Sequence, residues 1–120
     1  MQNNAEAVRE QLEGISFPDA EIVSAFLEAQ EAHVVIKDWR ERRINLRFGG
    51  VVLFKSFGFG GGIFSHLMLT ESKEIDEAIE VIKQDYGSVP EEHGLVHLSF
   101  ADDAPLLVVV FSSLQIEIES

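Results

Sequence analysis

Apolar side chains recur along this chain at two periods, and the switches between them outline the elements. Ala5, Val8 and Leu12 are spaced three and four apart between Asn4 and Gly14, which predicts a short helix with an Asn N-cap and a Gly stop. Pro18 biases Phe17 to an extended conformation and ends any helical continuation. Beyond it the period drops to two. Residues 20–28 and 32–39 are extended runs around Ala29-Gln30-Glu31 and predict a hairpin, although the turn lacks an Asn-Gly or Gly-Gly pair.

Residues 43–57 admit two threadings. A two-residue hairpin at Gly49-Gly50 sets Phe48 opposite Val51 and Leu46 opposite Leu53. A chain running straight through puts Ile44, Leu46, Phe48, Gly50, Val52 and Phe54 on one face, with Asn45, Arg47, Gly49 and Lys55 on the other. The second pattern segregates better and predicts one long strand, bent or bulged at the glycines. Gly58 to Gly62 predict a flexible connection, and Ile63 to Thr70 resume an extended pattern. Ser72 then caps a helix over about 73–85, with Ile75, Ala78, Ile79 and Ile82 at helical spacing, acids in the first turn and Gly87 as its stop.

After a loop around Pro90 come a strand at Leu95 to Phe100, a turn at Asp102-Asp103-Ala104-Pro105, and the all-apolar run Leu106 to Phe111. That run predicts a central strand covered on both faces, whereas Leu114 to Glu119 alternates and predicts a half-exposed one. The expectation is an α+β fold with residues 1–120 as a single domain. It has a mostly antiparallel sheet of about six or seven strands, curved or sandwich-like, a short N-terminal helix and one amphipathic helix.

Composition supports a packed core, since 46% of residues are hydrophobic and nine are Phe. The longest apolar run is far shorter than the roughly eighteen residues that cross a bilayer, and the opening MQNNAEAVRE carries no hydrophobic signal core. A soluble, cytoplasmic protein is expected. There is no cysteine, hence no disulfide, thiolate nucleophile or Cys-based zinc site. The net charge of −12 is unevenly spread. Between Lys37 and Lys55 stand six of the nine basic residues against Asp38 and Glu41, a local +4, while the other 101 residues carry three basic and nineteen acidic side chains, or −16. Such a balance disfavours nucleic acid and anionic membranes as partners and steers basic proteins toward the chain.

No motif reaches a catalytic signature. The cluster Gly58, Gly60, Gly61, Gly62 lacks the third glycine of a dinucleotide fingerprint and the Lys-Ser/Thr of a P-loop. His93 and His97, four apart on a strand-like run, are about 13 Å from each other and cannot share a metal. Ser65-His66 has no acid at an informative spacing, and Asp102-Asp103 before Ala104-Pro105 is turn chemistry. No catalytic, metal or cofactor residue is assigned, and an enzyme is not expected. An enzyme or ligand binder using the glycine loop and His66 or His97 is the third-ranked alternative.

Two groups remain as candidate partner-binding residues. Asp76, Glu77 and Glu80 give the second helix an acidic face. Trp39, Arg43 and Arg47 belong to the basic island, where Glu21, Glu28, Glu117 or Glu119 on neighbouring strands are expected to pair with the arginines and Trp39 to cover core or sheet. The segments Phe17-Pro18-Asp19-Ala20-Glu21-Ile22, Leu46-x-Phe48-x-Gly50-Val51 and Leu114-x-Ile116-x-Ile118 make the chain resemble, over roughly residues 17 to 119, the small bacterial immunity-type proteins of polymorphic toxin systems. That resemblance implies a cytoplasmic protein that neutralises a toxin by binding it, without catalysis or cofactor. The Gly-Phe-Gly-Gly-Gly loop and acidic helix have no counterpart in it, so no functional residue carries over. The leading expectation is therefore a non-enzymatic acidic protein that binds a basic partner. The alternative is a structural domain that self-associates through an edge strand into a homo-oligomer.

Overall fold

The computed structural model describes residues 4–15, 17–57, 62–63, 65–87, 94–102 and 105–119. The glycines 58, 60 and 61 with Phe59 and Phe64, the loop around Pro90 with His93, and Asp103-Ala104 lie outside these described residues. The elements are α1 (Asn4–Glu13), β1 (Ala20–Glu28), β2 (Glu31–Lys37), β3 (Arg43–Gly49), β4 (Leu53–Ser56), β5 (Gly62–Ile63), β6 (Ser65–Leu69), α2 (Lys73–Tyr86), β7 (Val96–Ala101), β8 (Pro105–Phe111) and β9 (Ser113–Glu119). All pairings are antiparallel and form two sheets, β5-β1-β2-β3-β9 and β4-β8-β7-β6. The fold is α+β as expected, with nine strands among the described residues rather than about six or seven.

Alternation builds the core between the sheets. Ala32, Val34 and Ile36 of β2 and Ile44, Leu46 and Phe48 of β3 point inward, meeting Val96, Leu98 and Phe100 of β7 and Leu107, Val109 and Phe111 of β8. Phe48 and Phe111 meet edge to face, with centroids 4.7 Å apart. Ala5, Val8 and Leu12 of α1 join the same core. The other face of β8 is covered too: Val110 packs with Leu95 against Ile75 and Ala78 of α2. The all-apolar run is thus an internal strand buried on both faces. From outside to outside the layers are α2, the β4-β8-β7-β6 sheet, and the β5-β1-β2-β3-β9 sheet, whose outer face carries no helix among the described residues.

The α2 ends follow their sequence signals. Ser72 is extended, and its Oγ accepts from Ile75 N–H at 3.1 Å; Gly87 is left-handed at φ 84, and its N–H donates to Lys83 O at 2.7 Å. Phe17 to Ala20 is a turn of type II pattern: Pro18 precedes Asp19 at φ 68, and Ala20 N–H donates to Phe17 O at 2.9 Å.

Residues 43–57 correct the single-strand expectation. No hairpin forms, but the chain leaves one sheet at Gly49 and enters the other at Leu53. The partner strand makes the same step at Ser112, between β8 and β9. A two-stranded ribbon, β3-β4 against β9-β8, therefore folds over one corner, the usual way for strands to change sheets. Ser112 N–H donates to Gly49 O at 3.0 Å and Val52 N–H to Val110 O at 2.9 Å on either side of the bend. Gly50 sits there at φ 61, and a Cβ on it would overlap Ser112 Oγ.

Candidate functional site

A bulge in β1 decides what the open sheet face displays. The register with β2 shifts between Ile22 and Ser24, so Ala25 turns inward opposite Val34 and Phe26 turns outward opposite His33. Phe26 is 49% exposed and stacks on the His33 ring at 4.9 Å, with an interplanar angle of 7°. Without the extra residue, uninterrupted alternation from Ile22 would have sent Phe26 to the core.

Register across the four main strands arranges this face in rows. Glu21, Lys37, Arg43 and Glu119 form one; Phe26, His33, Arg47 and Gln115 form another; Val35, Asn45 and Glu117 lie between. The glutamates anticipated beside the arginines are therefore near, yet neither Arg43 nor Arg47 makes a side-chain hydrogen bond or ion pair among the described residues. The expected cross-strand pairing is not made. A concavity of about 550 Å³ opens on this face, with Phe26, His33, Asn45, Arg47, Gln115 and Glu117 in its lining.

Trp39 is at one end of this face, and 57% of it is exposed, contrary to the expected core or sheet-covering role. Its loop is held from within. The buried Asp38 carboxylate accepts from Arg40 N–H (3.0 Å), Arg42 N–H (2.8 Å) and Arg42 Nε (2.8 Å), while Glu41 N–H donates to Asp38 O at 2.9 Å. Loss of water raises the Asp38 pKa, but the Arg42 N–H and guanidinium, together with Arg40 N–H, outweigh it and hold the group below the usual carboxylate value. Water reaches little of this carboxylate because its own loop wraps it, although little other protein surrounds it. Further contacts tie the tip: Arg40 lies over the Trp39 ring at 4.6 Å, and Lys37 is spanned to Glu41 at 3.6 Å.

The acidic candidates occupy the opposite side of the molecule. Asp76, Glu77 and Glu80 are all exposed on α2, where Glu77 pairs with Lys55 at 3.3 Å and Glu80 with Lys83 at 3.7 Å. Beside them emerge two large side chains, Val81 at 44% exposure between Glu80 and Asp85, and Tyr86 at 75% just after Asp85. The six predicted residues thus divide into two surfaces, three on each.

One polar cluster is assembled by the fold. His97 is buried, with Nδ1 2.8 Å from Ser72 Oγ and 3.5 Å from a Glu74 oxygen. A serine relay needs the acid on one ring nitrogen and the hydroxyl on the other. Here a single nitrogen faces both, and Ser72 Oγ is already engaged by Ile75 N–H, so the cluster is a helix cap with a buried imidazole behind it. Burial pushes the His97 pKa down, and Glu74 opposes this in part. His66 lies against Phe17 at 4.5 Å, and desolvation lowers its pKa as well. Among the described residues no group of three or more His, Asp or Glu is placed to hold a metal ion, and no helix is long and apolar enough to cross a membrane.

Comparison with protein-family models and with curated proteins gives no match for this chain. Sequence reasoning found the two charged groups but missed Asp38, Phe26, Val81 and Tyr86 as parts of them. Asp38 had a readable signal, an Asp opening a short turn between two strands. Phe26 had none, because the bulge leaves no residue mark.

Proposed function

We propose that this chain is a non-enzymatic, cytoplasmic binding protein that occludes a basic surface of another protein with the outer face of α2. The observation that carries the reading is the stripe Glu77-Val81-Asp85, one helical turn per step, in which an exposed apolar side chain is framed by carboxylates on a chain of net charge −12. Long-range attraction raises the association rate, and the desolvated apolar centre sets affinity. A cationic toxin is the partner that the family resemblance implies, and neutralisation by direct cover needs neither cofactor nor catalysis.

The test is retention of partners by tagged protein in its native lysate at low and then moderate salt, with identification by mass spectrometry. Wild type is compared with Val81→Asp and Asp76→Lys. A basic protein held by wild type and released by both variants is expected; recovery of nothing basic at either salt would sink the proposal. The second reading, self-association, has one observation in its favour: among the described residues β9 is a seven-residue edge strand paired on one side, to β3. Light scattering across a concentration series separates them, since a concentration-independent monomer excludes it.

A further inference from the structure

The face opposite α2 combines three observations that the α2 reading does not use. Arg43 and Arg47 stand on the same side of β3 with no acidic partner among the described residues, four residues and therefore about 13 Å apart. The Trp39-Arg40 tip, tied through Asp38, projects at the Arg43 end. A concavity with the Phe26-His33 stack opens at the Arg47 end. We propose that this face is a second recognition surface, which takes an extended protein segment bearing carboxylates four residues apart with an apolar side chain midway between them.

The spacing follows from strand geometry. A segment lying along β3 has the same rise per residue, so side chains at i and i+4 project to one side and reach Arg43 and Arg47 together. The residue at i+2 then faces Asn45 and Val35, which lie in register at the middle of the face. Guanidinium groups suit this role because they bind carboxylates in a two-toothed geometry. The cationic patch is Arg43 and Arg47 on β3 with Lys37 beside Arg43 on β2, and acids flank it across the strands: Glu117 and Glu119 on β9, Glu21 and Glu28 on β1. An acid placed at i+2 comes instead into the Asn45 row, beside Glu117 and without an arginine, so that spacing is disfavoured as the i, i+4 spacing is rewarded.

Charge also selects the occupant. The rest of the chain sums to −16 around this +4 window, so a long polyanion such as nucleic acid, or an anionic membrane, is repelled over any contact wider than a Debye length of about 10 Å. A second copy brings another −12. A short acidic stretch of a different protein satisfies the arginines without that cost.

The sole tryptophan reports on this surface directly. Capped peptides built around Glu-Ser-Leu-Ser-Glu are titrated at low ionic strength while Trp39 emission is followed. Three comparison probes are used: the second acid moved to i+3, both acids replaced by Lys, and inorganic tripolyphosphate. Saturable binding of the i, i+4 peptide is expected, weakened about threefold by Arg43→Gln or Arg47→Gln and about tenfold by both. The variants Asp76→Asn and Glu80→Gln, on the α2 side, leave it unchanged, so failure here is distinguishable from failure of the α2 proposal. The two arginines are exposed, and thermal melts of each variant check that the fold persists; Arg43→Lys, which keeps the charge, gives a second measure at that position. Equal binding of the i+3 peptide, preference for the Lys peptide, full binding by the double variant, or no binding at all overturns the proposal. Stronger binding of tripolyphosphate assigns the face to phosphate, and an emission change on concentrating the protein alone assigns it to a second copy; either also overturns it.

Discussion

Gly50→Ala is the sharpest probe of the corner that joins the two sheets. Alanine at φ 61 incurs about 1–2 kcal/mol of left-handed strain, of which about 0.4–1 kcal/mol is returned by its stiffer unfolded chain. The new Cβ overlaps Ser112 Oγ and lies 3.2 Å from Ser112 Cβ, so the serine must rotate and the bend must open, adding about 1–3 kcal/mol of overpacking. The sum is about 2–3 kcal/mol, or about 10 °C in Tm for a chain of this size. Two companions separate the contributions by urea unfolding. Gly87→Ala also stands at positive φ but meets nothing within 4 Å, so it should lose only the conformational part, about 1 kcal/mol. Ser112→Ala removes the hydroxyl, and in that background Gly50→Ala should cost about 1 kcal/mol less, read as the coupling of a double-mutant cycle. A Gly50→Ala cost no larger than that of Gly87→Ala, with zero coupling to Ser112, would refute the account of a sterically closed corner.

Three further outcomes are expected. Phe111→Ala should destabilise by about 3–5 kcal/mol in equilibrium unfolding, because its ring fills the inter-sheet core against Phe48. His97 has a folded pKa below its ordinary 6.5, so the stability it contributes is whole above that value and declines as pH falls beneath it toward the folded pKa; thermal melts from pH 8 to 5 should show this, and His97→Leu should flatten part of the slope. Asp38, held below its ordinary 3.8, contributes stability that is lost only as pH falls through still lower values. Asp38→Asn removes charge from three donors, and Trp39 emission anisotropy should fall as the loop loosens, with little change in far-UV circular dichroism.

Elements with a strong local signal were legible in the sequence. The Ser72 cap, the Gly87 stop, the all-apolar strand read at 106–111 and the hairpin around Ala29 depend on neighbours within a few residues. What was not legible depends on pairs far apart in the chain. The bend at Gly49-Gly50 becomes a change of sheet only because β8 and β9 bend beside it, and 63 residues separate Ser112 from its contact Gly49. For the candidate surfaces, the charged residues were readable but their company was not. Period-two counting gives Arg43 and Arg47 one face, yet whether Glu119 reaches Arg43 is settled by rotamers. The partition of the basic and acidic groups onto opposite sides follows from layer order, which α2's own sequence does not encode.

The folded-over ribbon also has a consequence for biosynthesis. The first three strands can meet as a meander once residue 49 is available, but β3 waits for β9 and β4 waits for β8, so neither sheet is complete until residues 105–119 have been made. Until then the inward sides of Ile44, Leu46 and Phe48 lack the β8 part of their opposing layer. Such long-range pairing places the chain among slow folders, on the order of milliseconds to seconds, and leaves an apolar strand exposed during synthesis as the point most prone to aggregation.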